Sequence, residues 1–344
     1  MKARIEPAVE ANPSAAATPS ASVYANSSVE GWKITPPRAC WDIVFKGLTV
    51  AAAAVALILL AAILLQLVWH SRPALMEFGL GFLTGQHWRP YAEPTPVFGA
   101  LPAIFGTLVA TTIAIAIATP LAIITALFLV ELAHPVLSRV VGTSIELLAA
   151  IPSIIYGMWG LFVFAPFMQH YVQPALGETL GFLPLFQGQP MGTGMLTAGI
   201  ILAIMILPFI CAVTRDVFAM VPTVVKESAY GMGSTTWETT WKVTLRYGVR
   251  GVVGALFLGL GRAIGETMAV TFVIGNKHQI SASLFEAGQS IASALANEFN
   301  EADFELYQSA LIELGLILFA MTFVIQVLAR LWLRNLARRS GTRG

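Results

Sequence analysis

Six long runs almost free of charge dominate this chain, at roughly 43–69, 101–130, 145–167, 195–220, 249–274 and 309–333. A run of ~18 or more apolar residues crosses the ~30 Å hydrocarbon core of a bilayer as a helix, the form in which a lone segment satisfies its own backbone in lipid. The short alternating segments of a membrane barrel are not seen in the sequence. Composition agrees: 56% of the 344 residues are hydrophobic and 11% charged, where a water-soluble domain carries about 25% charge. The expected fold is all-α, a polytopic membrane protein of about six transmembrane helices. Pro102, Pro120, Pro152 and Pro208 interrupt or edge the runs, which membrane helices tolerate where neighbours re-satisfy the freed carbonyl. Because Pro152 breaks one run and 78–106 is semi-apolar, counts of five and seven stay open.

Residues 1–40 are rich in Ala, Pro and Ser and read as a disordered cytoplasmic tail that buries too little to offset its ordering entropy. Without an apolar stretch near the start they do not read as a signal peptide. Residues 41–335 form the membrane domain, and 336–344 a basic tail. Lysine and arginine placement sets the orientation. With the N-terminus inside, 16 of the 20 basic residues fall inside; Arg72, Arg89 and Lys277 fall outside and Arg262 lies within a span. Both termini are therefore expected in the cytoplasm. The last outer segment, 276–308, holds Glu286, Glu298, Glu301, Asp303 and Glu305 and reads as solvated surface with a short amphipathic helix over 284–299. Glu131, Glu146 and Glu313, near span ends, read as interfacial carboxylates.

Several functions are disfavoured. A net charge of +1 gives no field for nucleic acid. Two distant cysteines, Cys40 and Cys211, make neither a disulfide framework nor a zinc site of the usual spacing, and the five histidines include no HExxH pair. The chain holds no GxxxxGK[ST] loop to cradle ATP phosphates. No cofactor is expected on this chain, and any ATP and Mg chemistry belongs to another.

The segment 221–247 is long for a connector between membrane helices, which in bundles takes about 2–8 residues, and its pattern predicts two short helices. Pro222 suits a first helical position, Val224, Val225 and Ala229 share a stripe, and Gly231 and Gly233 stop the helix. Thr235 with Glu238 fits a capping box, after which Trp237, Trp241 and Leu245 recur every four residues. Such a pair serves equally as a docking knob for a partner protein or as an interfacial anchor.

Within the fifth run, Arg262 and Glu266 stand one helical turn apart, where they can pair. An arginine at mid-membrane costs from about 2.5 to above 10 kcal/mol, so it faces protein or a water-filled path. Two uses fit: a structural ion pair, or forked donors to an anionic cargo with Glu266 balancing the charge when the path is empty. Pro152 opens a kink beside which Ser153 and Tyr156 either line a polar path or bond between helices. Gly261 and Gly265 read as a close helix-packing face.

Two resemblances sharpen this reading. Glu227-Ser228-Ala229, Gly233 at the right offset and Val243-x-Leu245 resemble the E-A-A-x3-G-x9-I-x-L-P motif of importer permeases of ATP-binding-cassette transporters. The chain departs at Ser228, and at Arg246 where the motif has proline. The resemblance implies type I importer architecture and coupling residues Glu227, Ser228, Ala229, Gly233 and Leu245, docking on two ATPase subunits. The stretches FLTGQHWRP, FGALPAIFGTLVAT, LAAIPSIIYGMWG and GRAIGETMAV look like the permeases of bacterial phosphate-specific transport, PstC-like above all, over roughly residues 40–335. This implies import of inorganic phosphate through the inner membrane, a second homologous permease subunit, an extracytoplasmic phosphate-binding protein, and Arg262 and Glu266 acting in transport. Rival readings are another oxyanion as cargo, or a channel or secondary transporter without ATPases.

Overall fold

The computed structural model describes residues 39–341; the expected tail falls largely outside them. Among the described residues the regular elements are helices, apart from one isolated bridge between Arg89 and Val97. Besides the short turns Gly81–Thr84 and Pro184–Phe186 they are, in chain order, α1 (Ala39–His70), α2 (Arg72–Phe78), α3 (Leu101–Leu132), α4 (Pro135–Ala149), α5 (Ser153–Leu180), α6 (Met195–Ala219), α7 (Thr223–Gly231), α8 (Thr236–Ile264), α9 (Met268–Val273), α10 (Ile291–Glu298) and α11 (Glu305–Gly341). Five of them, α1, α3, α6, α8 and α11, are long and apolar enough to cross a membrane, and six crossings result if α4 and α5 count as one bent span. The chain divides into units Met1–Leu60 and Ala61–Gly344. The described part of the first unit is the beginning of α1, apolar all round with Asp42 in its first turn, where a carboxylate suits the helix dipole.

The second unit is centred on α6, whose apolar window is 67% buried. Ala114, Ala118, Ala122 and Ala126, four apart on α3, meet Ile201, Ile206 and Ile210 of α6 in the main core. Small residues at this spacing let backbones approach, which is how membrane helices gain packing energy without a hydrophobic drive. α8 uses the same device: a Cβ at Gly248, Gly251 or Gly259 would run into Phe218, Val217 or Ile210 of α6.

The third run is reshaped. Pro152 takes an extended conformation before Ser153, and α4 meets α5 at 89°. The run predicted over 145–167 is therefore two helices that break at Ile151–Pro152, not one straight span. The Tyr156 hydroxyl holds the elbow, donating to the Leu148 carbonyl at 2.9 Å.

Three expectations are corrected. The fifth run is not one helix to 274: α8 stops at Ile264, Gly265 caps it, and α9 restarts at Met268. The second short helix of the 221–247 segment is likewise no separate element, because it is the first turns of α8. The 276–308 segment is also less solvated than its charges suggest. Phe285, Gln289, Ser290, Ile291 and Ser293 are buried, and the Ile291 amide donates to Thr107 of α3 at 2.9 Å. The amphipathic helix shortens to α10, started by a Ser290–Ser293 capping box.

Candidate functional site

Three elements converge on the break after α8. Glu266 does not pair with Arg262: no ion pair joins them among the described residues. The i,i+4 neighbourhood exists only along an unbroken helix, and Gly265 ends this one. The Glu266 carboxylate instead accepts from the Ala269 amide at 3.2 Å, closing the first turn of α9. Arg262 is exposed within the chain, its guanidinium carbon 5.9 Å from the Phe209 ring centre, within cation–π range. Tyr156 is buried and Ser153, at the first position of α5, is half-buried. α5 is held against α9 at Gly157, where a Cβ would press on Phe272 and Ala269. Gly261 leaves room for Gln326 of α11, whereas Gly265 meets only its own helix. The helix-packing reading of this glycine pair thus holds at one member.

At the end of the spans carrying the 221–247 segment, α7 and the start of α8 form a compact knob. Thr235 and Glu238 make the expected capping box, and Lys242 pairs with the Glu238 carboxylate at 2.9 Å. Glu227 and Ser228 are exposed, Ala229 is buried, and Gly233 turns the chain at φ +88°, a conformation that suits glycine. Of the expected stripe only Ala229 faces inward; Val224 and Val225 are exposed. The Trp237 and Trp241 rings stack at 5.6 Å and stay 71% and 54% exposed, while Leu245 packs on the core. Exposed aromatic area of this size marks a surface made for a partner or a membrane interface.

The carboxylates near span ends are not merely interfacial. Glu131, with its side chain 5% exposed, accepts from Lys226 of α7 at 2.6 Å and from the Thr244 hydroxyl of α8 at 2.8 Å. Glu146 of α4 pairs with Arg215 of α6. Glu313 is buried on α11, its Oε2 without a hydrogen-bond partner among the described residues. Sequence reading could not find the Glu131 partners, since they lie 95 and 113 positions away. At the opposite end, Glu298 accepts from Trp88 at 2.6 Å and Tyr307 at 2.7 Å, and meets His278 at 2.6 Å. Burial works against its charged form, yet the bonds from His278, Tyr307 and Trp88 win and hold the carboxyl below its usual value.

Comparison with known proteins places this architecture. The family described as "Binding-protein-dependent transport system inner membrane component" matches residues 118–341. The phosphate transport system permease protein PstC of Pasteurella multocida (strain Pm70) is 53% identical over 304 residues, covering 87% of this chain and 94% of that protein. The PstC of Mesorhizobium japonicum is 52% identical, covering 87% and 92%. A probable PstC of the archaeon Methanocaldococcus jannaschii is 36% identical over 294 residues, covering 85% and 93%. Among solved structures, a chain of a bacterial alginate ABC transporter, crystallised with an alginate pentasaccharide-bound periplasmic protein, shares the fold at TM-score 0.57 and 18% identity, covering 90% of this chain and all of that one. This chain belongs to the binding-protein-dependent transport system inner membrane components, and among them to the PstC phosphate transport permeases.

Proposed function

We propose that this chain is the transmembrane permease subunit of an ATP-driven importer of inorganic phosphate. The observation that carries the reading is the 53% identity to a PstC permease along 87% of the chain. The chain pairs with a second, homologous permease and with two ATPase subunits, which hold the ATP and Mg, and it receives phosphate from an extracytoplasmic binding protein. The excess of Lys and Arg at both termini and in 215–250 puts the knob and the termini in the cytoplasm. Glu227 and Ser228, with the exposed Trp pair, then form the face that docks an ATPase, while Ala229, Gly233 and Leu245 set the shape of the knob behind it. Two packings of the spans, biased by nucleotide on the partners, alternate access to the path.

On this reading Arg262 offers forked donors to the phosphate oxygens, and Tyr156 and Ser153 add polar groups to the path. Glu266 serves by holding α9 in place rather than by neutralising Arg262. An arginine with no ion pair among the described residues is available to an anion in a way that an ion-paired one is not.

Labelled-phosphate uptake at low external phosphate tests the proposal, in cells lacking the chain and in cells given it back, with excess sulfate as competitor. Restored uptake indifferent to sulfate supports it; uptake abolished by sulfate replaces phosphate with a broader oxyanion cargo; no restoration in cells without a second importer refutes it. Arg262→Gln should lower restored uptake about tenfold or more, as a hydrogen bond to a charged group is worth about 1.5–3 kcal/mol.

A further inference from the structure

The least expected feature of the knob end is the convergence on Glu131. Three elements meet there: the last turn of α3, which carries Glu131; α7, which carries Lys226; and the foot of α8, which carries Thr244. Two of the three are reshaped at that point. Residues Phe128–Leu132 and Thr240–Thr244 are both wound as π-helical turns. A π turn inserts a residue and rotates the side chains beyond it, and such turns are frequent at functional sites. Both registers are shifted where the carboxylate and the hydroxyl must meet. The Lys226 side chain is 18% exposed and that of Glu131 5%, so the ion pair is mostly shielded from water. A shielded pair is screened far less by salt than a surface one, and losing one partner leaves an uncompensated buried charge.

The surroundings tell what this clamp joins. Lys226 immediately precedes Glu227, and Ala229 on the same helix is buried against the knob. Thr239, Thr240 and Thr244 are buried at the foot of α8, the helix that carries Arg262 at its other end. The second contact at this end, Arg215–Glu146, joins α6 to α4, and its Glu146 is half exposed. The ion pairs of Arg215 run to Glu146 of α4 and Asp216 of α6, which makes this contact an internal control.

We propose that Glu131 is a positioning residue that transmits the movement of the knob: by binding Lys226 and Thr244 together, it makes α7 and the feet of α3 and α8 move as one body when a partner displaces α7. This deepens the importer reading and rests on the knob being the ATPase-docking face. Hinged instead at α7, the knob would follow its partner while the spans stayed behind, and ATP would be hydrolysed without transport.

The test uses the full transporter, reconstituted with its ATPase and second permease subunits in proteoliposomes, with binding protein and phosphate supplied. Phosphate moved per ATP hydrolysed is compared for wild type, Glu131→Gln, Lys226→Met, the exchange Glu131→Lys with Lys226→Glu, and Glu146→Gln. We expect the single variants to retain the ATPase subunits yet to lower the ratio about fivefold or more, in the range of measured coupling losses. The exchange should recover most of it, and Glu146→Gln should leave it near wild type. An unchanged ratio in Glu131→Gln overturns the proposal, as does loss of ATPase co-purification in the single variants that returns in the exchange, which would make the clamp a docking element. A cargo-free readout separates this from failure of the phosphate reading: the distance between spin labels at Leu132 and Thr223. It should hold constant between nucleotide-free and ATP-bound transporter in wild type and change in Glu131→Gln; change in both overturns the proposal even if no phosphate moves.

Discussion

The two ends of the spans are built differently. At the end bearing Trp88, His278, Glu298 and Tyr307, one part-buried carboxylate gathers two aromatic donors and a histidine, and the rings stack around it: Trp88 lies 5.1 Å from His278 and Phe98 5.5 Å from Tyr307. The segment 283–293 is folded inward beneath this cluster. At the knob end, Lys226–Glu131 and Arg215–Glu146 tie helices together, while two stacked tryptophans face outward. The cluster at the first end is closed by its own hydrogen bonds and ring contacts. At the second, Trp237 and Trp241 stay uncovered among the described residues. A membrane protein that must bind a moving partner at one end needs this asymmetry, because rigid packing suits a fixed cap and discrete ion pairs suit elements that shift as bodies.

The glycines offer the hardest way to break the comparison. A Cβ at Gly106 would strike the backbone of Gln289, whereas one at Gly142 would strike the mobile end of the Arg215 side chain. Gly106→Ala should cost about 3 kcal/mol, at the upper end for overpacking, measured as thermal unfolding of the purified protein. Glu298→Gln comes next, at about 2 kcal/mol, since it downgrades hydrogen bonds to a charged group. Gly142→Ala should cost about 1 kcal/mol, because a side chain can move aside; equal losses at Gly106 and Gly142 would erase the contrast.

Acid sharpens it further. The Glu298 carboxyl titrates below its ordinary value, so its contribution is complete above about pH 4.3 and is lost as pH falls through the lowered value. Hydrogen exchange over 283–293 should therefore stay slow at about pH 5 and quicken only below the usual carboxylate range, and in Glu298→Gln that acid step should vanish. The smallest effect belongs to Trp237→Ala, expected to shift stability by no more than about 0.5 kcal/mol, as for exposed sites in general. Its consequence should appear instead as reduced co-purification of ATPase subunits; a large drop in stability would mean the ring packs on its own chain.

What the sequence made legible follows from the range of each interaction. The spans could be read because the bilayer imposes a length and an apolar composition that single windows report. The Thr235–Glu238 capping box could be read because both halves lie within one turn. The continuity of the knob with α8 could not, since the box marks a start and nothing nearby marks a stop. Nor could the break at Gly265: one glycine in an apolar run signals packing or termination equally, and the i,i+4 spacing of Arg262 and Glu266 favoured an unbroken helix. The partners of Glu131 and Glu298 come from folding distant segments together, and no local pattern encodes them. The family likeness pointed to Arg262 and Glu266, while the geometry separates them, assigning one to an open position and the other to the turn beside it.

The unbroken run of α8 from Thr236 to Ile264 has a mechanical meaning. Its foot lies in the knob and Arg262 lies 26 residues on, so at 1.5 Å per residue the two are about 39 Å apart along one stiff rod. A tilt of about 5° applied at the foot swings the far end by about 3 Å, roughly one hydrogen-bond length. With a guanidinium at the tip, such a small rotation is enough to make or break its hold on an oxygen, so the amplification is set by the length of the shaft.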